Sequence, residues 1–164
     1  MATVHLICGS TGAGKTTYAK AIASRTGAVR LSIDEWMATL FIADRPNPAS
    51  VEWATERLVR CEHQMWSVAK QVVERGIDVV LDLGLSTRDQ RERLRLFVAE
   101  TRAECKLHYL DVSVETRRAR VLQRGADTRG ESFQITGRMF DAMERYFEAP
   151  TDDELYGAMI VCEE

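Results

Sequence analysis

Residues 9–16 read Gly-Ser-Thr-Gly-Ala-Gly-Lys-Thr and match the pattern G-x-x-x-x-G-K-S/T. The pattern demands a setting: a strand before it, a helix after it, and an anion between them. The glycines let the chain curl until consecutive backbone N–H groups point into one concavity, a nest for phosphate oxygens. A helix opening near Lys15 adds its positive N-terminal end. The Lys15 ammonium reaches the outer phosphates, and the Thr16 hydroxyl joins the coordination shell of Mg²⁺. Gly9, Ser10, Thr11, Gly12, Ala13, Gly14, Lys15, Thr16 and Thr17 therefore form the expected cradle for the phosphates of a nucleotide. At average residue frequencies the pattern arises by chance in under roughly 1% of chains this long. The setting is also right, because Thr3–Cys8 is a β-prone run and the residues from about Lys15 to Arg25 suit a helix.

The rest of the chain repeats that alternation. Ala28–Ile33 predicts a second strand ending at Asp34, and a short helix follows through Phe41. Arg45-Pro-Asn-Pro48 breaks the pattern, and Ser50 is placed to N-cap a long helix over 52–74 with an apolar stripe at Leu58, Met65, Val68, Ala69 and Val72. Gly76 stops it. Strands are then expected at Ile77–Asp82, Cys105–Asp111 and Ala158–Cys162, with helices at 87–101, 113–123 and 134–148 and a loop over 124–132. Strand alternating with helix predicts an α/β fold, a five-stranded parallel sheet wrapped by helices. At 164 residues, without repeat or linker, the chain reads as a single domain over 1–164.

Composition narrows the function. No run approaches the length of a membrane-spanning helix, and the first residues lack the features of a signal peptide, so the expectation is a soluble, cytoplasmic protein. The net charge of −3 argues against a dedicated duplex-DNA binder, despite basic clusters at Arg88, Arg91, Arg93 and Arg95 and at Arg117, Arg118, Arg120 and Arg124. Cys8, Cys61, Cys105 and Cys162 are scattered without a C-x-x-C and read as reduced structural thiols. His5, His63 and His108 look isolated, and no metal cage is written among them.

A switch GTPase needs Asn-Lys-x-Asp late in the chain, which is absent, and large motor ATPases need more residues than these. A small kinase needs only a phosphate cradle, a metal, an acceptor base and a lid. The phosphate loop, an acid closing the second strand, an acid closing the third, and a late Arg-rich helix followed by a loop together resemble the P-loop kinases. The resemblance runs from about Val4 to Pro150 and is to the group containing polynucleotide 5′-hydroxyl kinases, zeta-toxin-like kinases and chloramphenicol phosphotransferase. It implies a three-layer P-loop NTPase fold of the nucleoside-monophosphate-kinase type, with the strand ending at Asp82 beside the P-loop strand. It also implies a lid near 117–133.

Four further residues complete the expected site. Asp34 closes a strand end that faces the phosphates and can take the proton of an attacking hydroxyl, the role an Asp at this position has in the resembled kinases. It also suits the N-cap of the next helix. Asp82 closes an apolar strand in the Walker B manner, holding Mg²⁺ directly or through water, or orienting the acceptor. Arg120 and Arg124, four apart, share one helix face, and their planar forks suit the oxygens of a transferring phosphate. Glu35 reads as a first-turn helix carboxylate. Arg88 and Arg91 read as a solvated helix face, and Arg117, Arg118, Arg129 and Arg138 as surface.

One departure concerns the acceptor. Polynucleotide kinases carry an arginine three residues after the base, and this chain has Met37 there, with Trp36, Leu40 and Phe41 around it. Those residues, with Trp53 and Trp66, either wall a less charged acceptor pocket or pack as core. The expected activity is transfer of the γ-phosphate of Mg·ATP to a hydroxyl of a small molecule. A 5′-hydroxyl polynucleotide is the alternative acceptor, and an ATP-binding regulatory module the alternative class.

Overall fold

The computed structural model describes residues 1–48, 50–127 and 135–162, with side chains for all of these except 124–127. The five strands are β1 (Thr3–Cys8), β2 (Val29–Ser32), β3 (Val79–Asp82), β4 (Glu104–Asp111) and β5 (Met159–Cys162). They form one parallel sheet in the order β2-β3-β1-β4-β5. The P-loop strand β1 is thus central, and β3 lies beside it as the resemblance implied.

Alternation along the strands builds two apolar faces. Val4, Leu6 and Cys8 of β1 and Val79 and Leu81 of β3 join one buried cluster, while Ile7 and Val80 join the other. Full burial on both faces is what a parallel sheet requires of its central strands. The first face is covered by α3 (Val51–Val73), whose Cys61, Met65, Ala69 and Val73 are buried, and by α4 (Arg88–Ala99), through Leu94 and Val98. The second face is covered by α1 (Lys15–Thr26), through Ala19 and Ile22. The result is three layers.

Caps fix the helix ends. Ser50 accepts a bond from the Trp53 amide at 3.0 Å and starts α3, as its position predicted. Thr87 and Gln90 form a capping box that starts α4, and Thr136 caps α6 (Gly137–Tyr146). Between them α5 (Val114–Asp127) runs further than the sequence suggested. Arg124 and Gly125 lie within it rather than in a loop, so the glycine does not end the helix. Most of the expected lid loop falls outside the described residues. A short α7 (Asp152–Leu155), with its own capping box from Thr151 and Glu154, was not anticipated. The α2 helix (Ile33–Phe41) begins directly at the end of β2.

The histidines correct one expectation. His5 and His108 are not isolated: His5 Nδ1 lies 2.9 Å from His108 Nε2, and Tyr18 of α1 places its hydroxyl 2.9 Å from His108 Nδ1. Both imidazoles are buried. Burial lowers the pKa of each, that of His108 to about 4, with the neighbouring His5 adding to the shift. A depressed histidine pKa stabilises the fold fully above the unfolded value near 6.5, and the contribution is lost as pH falls toward 4. Protonation of His108 in the unfolded chain should therefore cost the fold about 3 kcal/mol across that interval. Urea unfolding at pH 7.5 and pH 4.5 reads this, and the pH dependence should be flatter in His108→Phe. Equal slopes in the two proteins would contradict it.

Candidate active site

The P-loop joins β1 to α1. Gly14 precedes α1 with φ 88°, and Gly12 has φ 83°, left-handed values that glycine adopts freely. At Gly12 a side chain is also excluded by contact. A Cβ there would lie 2.6 Å from the Arg117 carbonyl oxygen and 2.9 Å from Val121 Cγ2, both on α5. Gly12→Ala is accordingly expected to lose roughly 1–3 kcal/mol of stability and to weaken ATP binding as the loop is pushed off α5. Thermal unfolding with and without ATP measures both effects, and an unchanged Tm and affinity would show the contact to be slack.

Lys15 Nζ donates to the carbonyls of Gly9 at 2.8 Å and Ser10 at 3.0 Å, so the ammonium lies across the mouth of its own loop. Burial lowers its pKa, while the Asp82 and Asp34 carboxylates pull it back up. Both predicted acids are thus near enough to act on its charge. Ser32 and Asp82 are paired in register at the carboxyl ends of β2 and β3, and Asp34 follows on the first turn of α2. Ser32, not Asp34, occupies the N-cap position, which leaves the exposed Asp34 carboxylate outside that job.

Asp82 is 5% exposed, and burial raises its pKa against the opposing effects of the nearby Thr16 hydroxyl and of Arg30. Arg30 Nη1 donates to Asp82 Oδ2 at 3.1 Å, and its other terminal nitrogen is paired with Glu35. Glu35 is a first-turn carboxylate, as expected, and its pKa is lowered by the Arg30 bond. Arg30's part has no local signal, because β2 and β3 are brought side by side only by the crossover. The hydroxyl–carboxylate pair of Thr16 and Asp82 fits Mg²⁺, a cation that takes one or two protein oxygens and fills the rest of its shell with phosphate oxygens and water.

The other rim of the loop is held by α5 and α6. Arg117 was expected at the surface but is 5% exposed. It grips Glu144 through two bonds of 2.5 and 2.7 Å, donates to the Val112 carbonyl at 2.8 Å, and reaches the Thr11 carbonyl at 3.3 Å. Glu144 in turn accepts from Ser10 Oγ at 2.8 Å. Arg118 pairs with Asp141, and both guanidinium groups lie over the buried Phe140. The partners in the main pair are 27 residues apart, so no local spacing could reveal them. Arg138 is exposed, in line with the sequence reading. Arg120 is half-buried on α5, and Arg124 follows one turn later with its side chain outside the described residues, as is Arg129.

Behind Asp82 the chain turns sharply, with Gly84 at φ 87° and Leu85 at φ 46°. Arg91 holds this turn. Rather than facing solvent it is 1% exposed, paired with Glu154 at 2.7 and 3.0 Å, and donates to the carbonyls of Leu85 at 3.2 Å and Glu148 at 2.8 Å. The strained backbone at Leu85 is thus fixed by a buried ion pair. Arg88 is exposed and paired with Asp153, as a surface residue. Trp36, Met37, Phe41 and Trp66 pack against the core, Trp66 stacking on Phe97 with ring centroids 5.3 Å apart. Trp53 lies under Arg57. The aromatic cluster therefore takes the packing alternative for most of its members.

A central parallel strand, a phosphate-binding loop and two strand-end carboxylates define a P-loop protein of the small-kinase type. Residues 4–150 match the family model AAA_33, described as an AAA domain, and the chain belongs to that family. No curated protein sequence matches it significantly. Among solved structures it is similar to a sugar kinase from a Janibacter species (17% identity, TM-score 0.67, 99% of this chain and 86% of that one). It is also similar to the APS kinase of Mycobacterium tuberculosis in complex with AMPPNP and APS (19% identity, TM-score 0.66, 99% and 89%). A third is Chaetomium thermophilum Kti12 in complex with ADP-AlF3 (19% identity, TM-score 0.69, 98% and 89%). At these identities the likeness is one of fold. Among the described residues, no helix is long and apolar enough to cross a membrane.

Proposed function

We propose that this protein is a cytoplasmic kinase that transfers the γ-phosphate of ATP to a hydroxyl of a small molecule. The observation that carries the proposal is that Asp82 at the end of β3 and Asp34 just after β2 both act on the charge of Lys15 beside the P-loop. A domain that only bound nucleotide would need no carboxylate positioned to take a proton.

In this reading the backbone N–H groups of residues 9–16 and the Lys15 ammonium hold the β- and γ-phosphates. Thr16 and Asp82 would hold Mg²⁺, which supplies positive charge to the phosphate oxygens. Arg30 favours the ionised form of Asp82 against the effect of burial and holds it in place. Asp34 accepts the acceptor's hydroxyl proton while the acceptor oxygen bonds to the γ-phosphorus. The bond from that phosphorus to the bridging oxygen breaks, and ADP leaves. Arg120 and Arg124 close on the transferring group from α5 and balance the charge spread over its oxygens.

The test offers γ-labelled ATP and Mg²⁺ with two acceptor pools, a small-metabolite extract and 5′-hydroxyl oligonucleotides. Label on a small molecule is the expected result. Label on the oligonucleotides, with binding that weakens steeply as salt rises, would move the acceptor to a polynucleotide. Tight ATP binding without label in either pool would favour a nucleotide-binding module.

A further inference from the structure

A cavity of about 420 Å³ opens beside the front arm of the P-loop, lined by Ser10, Thr11, Ser86, Met143, Tyr146 and Phe147. Its volume lies within the range of small-molecule sites. Ser10 and Thr11 belong to the phosphate cradle itself, so whatever fills the cavity lies next to the phosphates. Ser86 belongs to the turn behind Asp82, so the cavity also borders the Walker B strand end.

The walls are held firmly. The Glu148 amide donates to the Ser86 carbonyl at 2.8 Å, and Arg91 bonds both Leu85 and Glu148, which fixes the turn against the segment after α6. Glu144 anchors α6 to Ser10, and Thr11 Oγ1 meets Met143 Sδ at 3.6 Å. Yet Tyr146 and Met143 remain 64% and 39% exposed, apolar surface left open on an otherwise anchored helix.

Three arginines near this cavity are already matched by carboxylates. Arg117 is matched by Glu144, Arg91 by Glu154 and Arg88 by Asp153. Among the described residues no charged side chain lines it. What the walls offer is the Ser86 hydroxyl and the accepting oxygens of Ser10 and Thr11, whose protons go to Glu144 and Met143, together with Met143, Tyr146 and Phe147. An anionic acceptor entering here would lose its hydration without gaining a counter-ion from these walls.

We infer that this cavity is the acceptor pocket and that it selects an uncharged, hydroxyl-bearing molecule with an apolar or aromatic face. The inference rests on the kinase reading above and names the class of its substrate. The hydroxyls bond the acceptor's polar edge, and Tyr146 and Met143 cover its apolar face.

Methyl-labelled methionine gives a direct reporter, since the chain has 6 methionines and Met143 lines the cavity. With Mg²⁺ and a non-hydrolysable ATP analogue bound, the probes are phenyl β-glucoside, which is neutral, and gluconate and glucose 6-phosphate, which are anionic. The Met143 methyl signal should shift saturably with phenyl β-glucoside and stay still with the two anions. Tyr146→Ala should weaken the neutral probe about tenfold, and Tyr146→Phe should restore it. A silent Met143 signal, or an equal response to the anions, would overturn the inference. The kinase reading fails separately: if the neutral probe binds at Met143 but label never leaves ATP for any acceptor, the pocket stands and the phosphotransfer does not. Label passing to anionic acceptors would leave the kinase and remove this pocket's selectivity.

Discussion

Lys15→Met is expected to lower acceptor-dependent turnover by roughly 10³-fold, about 4 kcal/mol of transition-state stabilisation, while the fold persists. The reasoning starts from the bonds the ammonium makes. Both are to carbonyls of its own loop, so removing them loosens a local arch and leaves the sheet untouched. In the proposed reaction the same ammonium would lie against the phosphates, held where burial strengthens its pull. ATP affinity should fall as well, because ground and transition states share that charge. Circular dichroism and thermal unfolding check the fold, and ADP release against acceptor concentration measures turnover. A variant that folds normally and turns over at more than a tenth of the parent rate would contradict the assignment.

Asp34→Asn should behave differently. Asp34 lies exposed on the first turn of α2, does not occupy its N-cap, and is near enough to Asp82 and Lys15 to act on the charge of both. Replacing a general base by its amide should cost roughly 10²–10⁴-fold in kcat with little change in ATP affinity or stability. The contrast with Lys15→Met is the informative part: one variant loses binding and chemistry together, the other chemistry alone. Near-normal kcat in Asp34→Asn would remove the base assignment.

The contrast between what could and could not be read from the sequence follows contact range. The P-loop was legible because its chemistry is consecutive in the chain, from Gly9 to Thr16, and its neighbours β1 and α1 carry the right periodicity. The strand-end acids were legible because parallel strands all deliver their carboxyl ends to one edge of the sheet. Ser50 announced α3 through an N-cap that acts three residues away.

Residues that act across the chain were misread. Arg91 and Arg117 look like surface arginines because each sits on a charged helix, and their partners Glu154 and Glu144 lie 63 and 27 residues away. An arginine becomes a buried brace only when a distant carboxylate arrives to pair with it, and helix periodicity says nothing about that arrival. His5 and His108 were separated in the same way, 103 residues apart in sequence and 2.9 Å apart in space. The aromatic residues of α2 and α3 suit either an acceptor wall or core packing, and periodicity does not decide between the two. The sheet draws most of those aromatics into the core and leaves Met143 and Tyr146 of α6 open beside the phosphate loop.

The central claim is that Asp34 serves a transfer of phosphate to a hydroxyl. The most direct measurement compares parent protein and Asp34→Asn, each saturated with Mg²⁺ and γ-labelled ATP, in the same metabolite extract, with ATP dissociation constants taken in parallel. The account predicts labelled small molecule from the parent, at least a hundredfold less from the variant, and matching ATP affinities. Label formed equally by both proteins, or formed by neither while ATP is bound tightly, would contradict it.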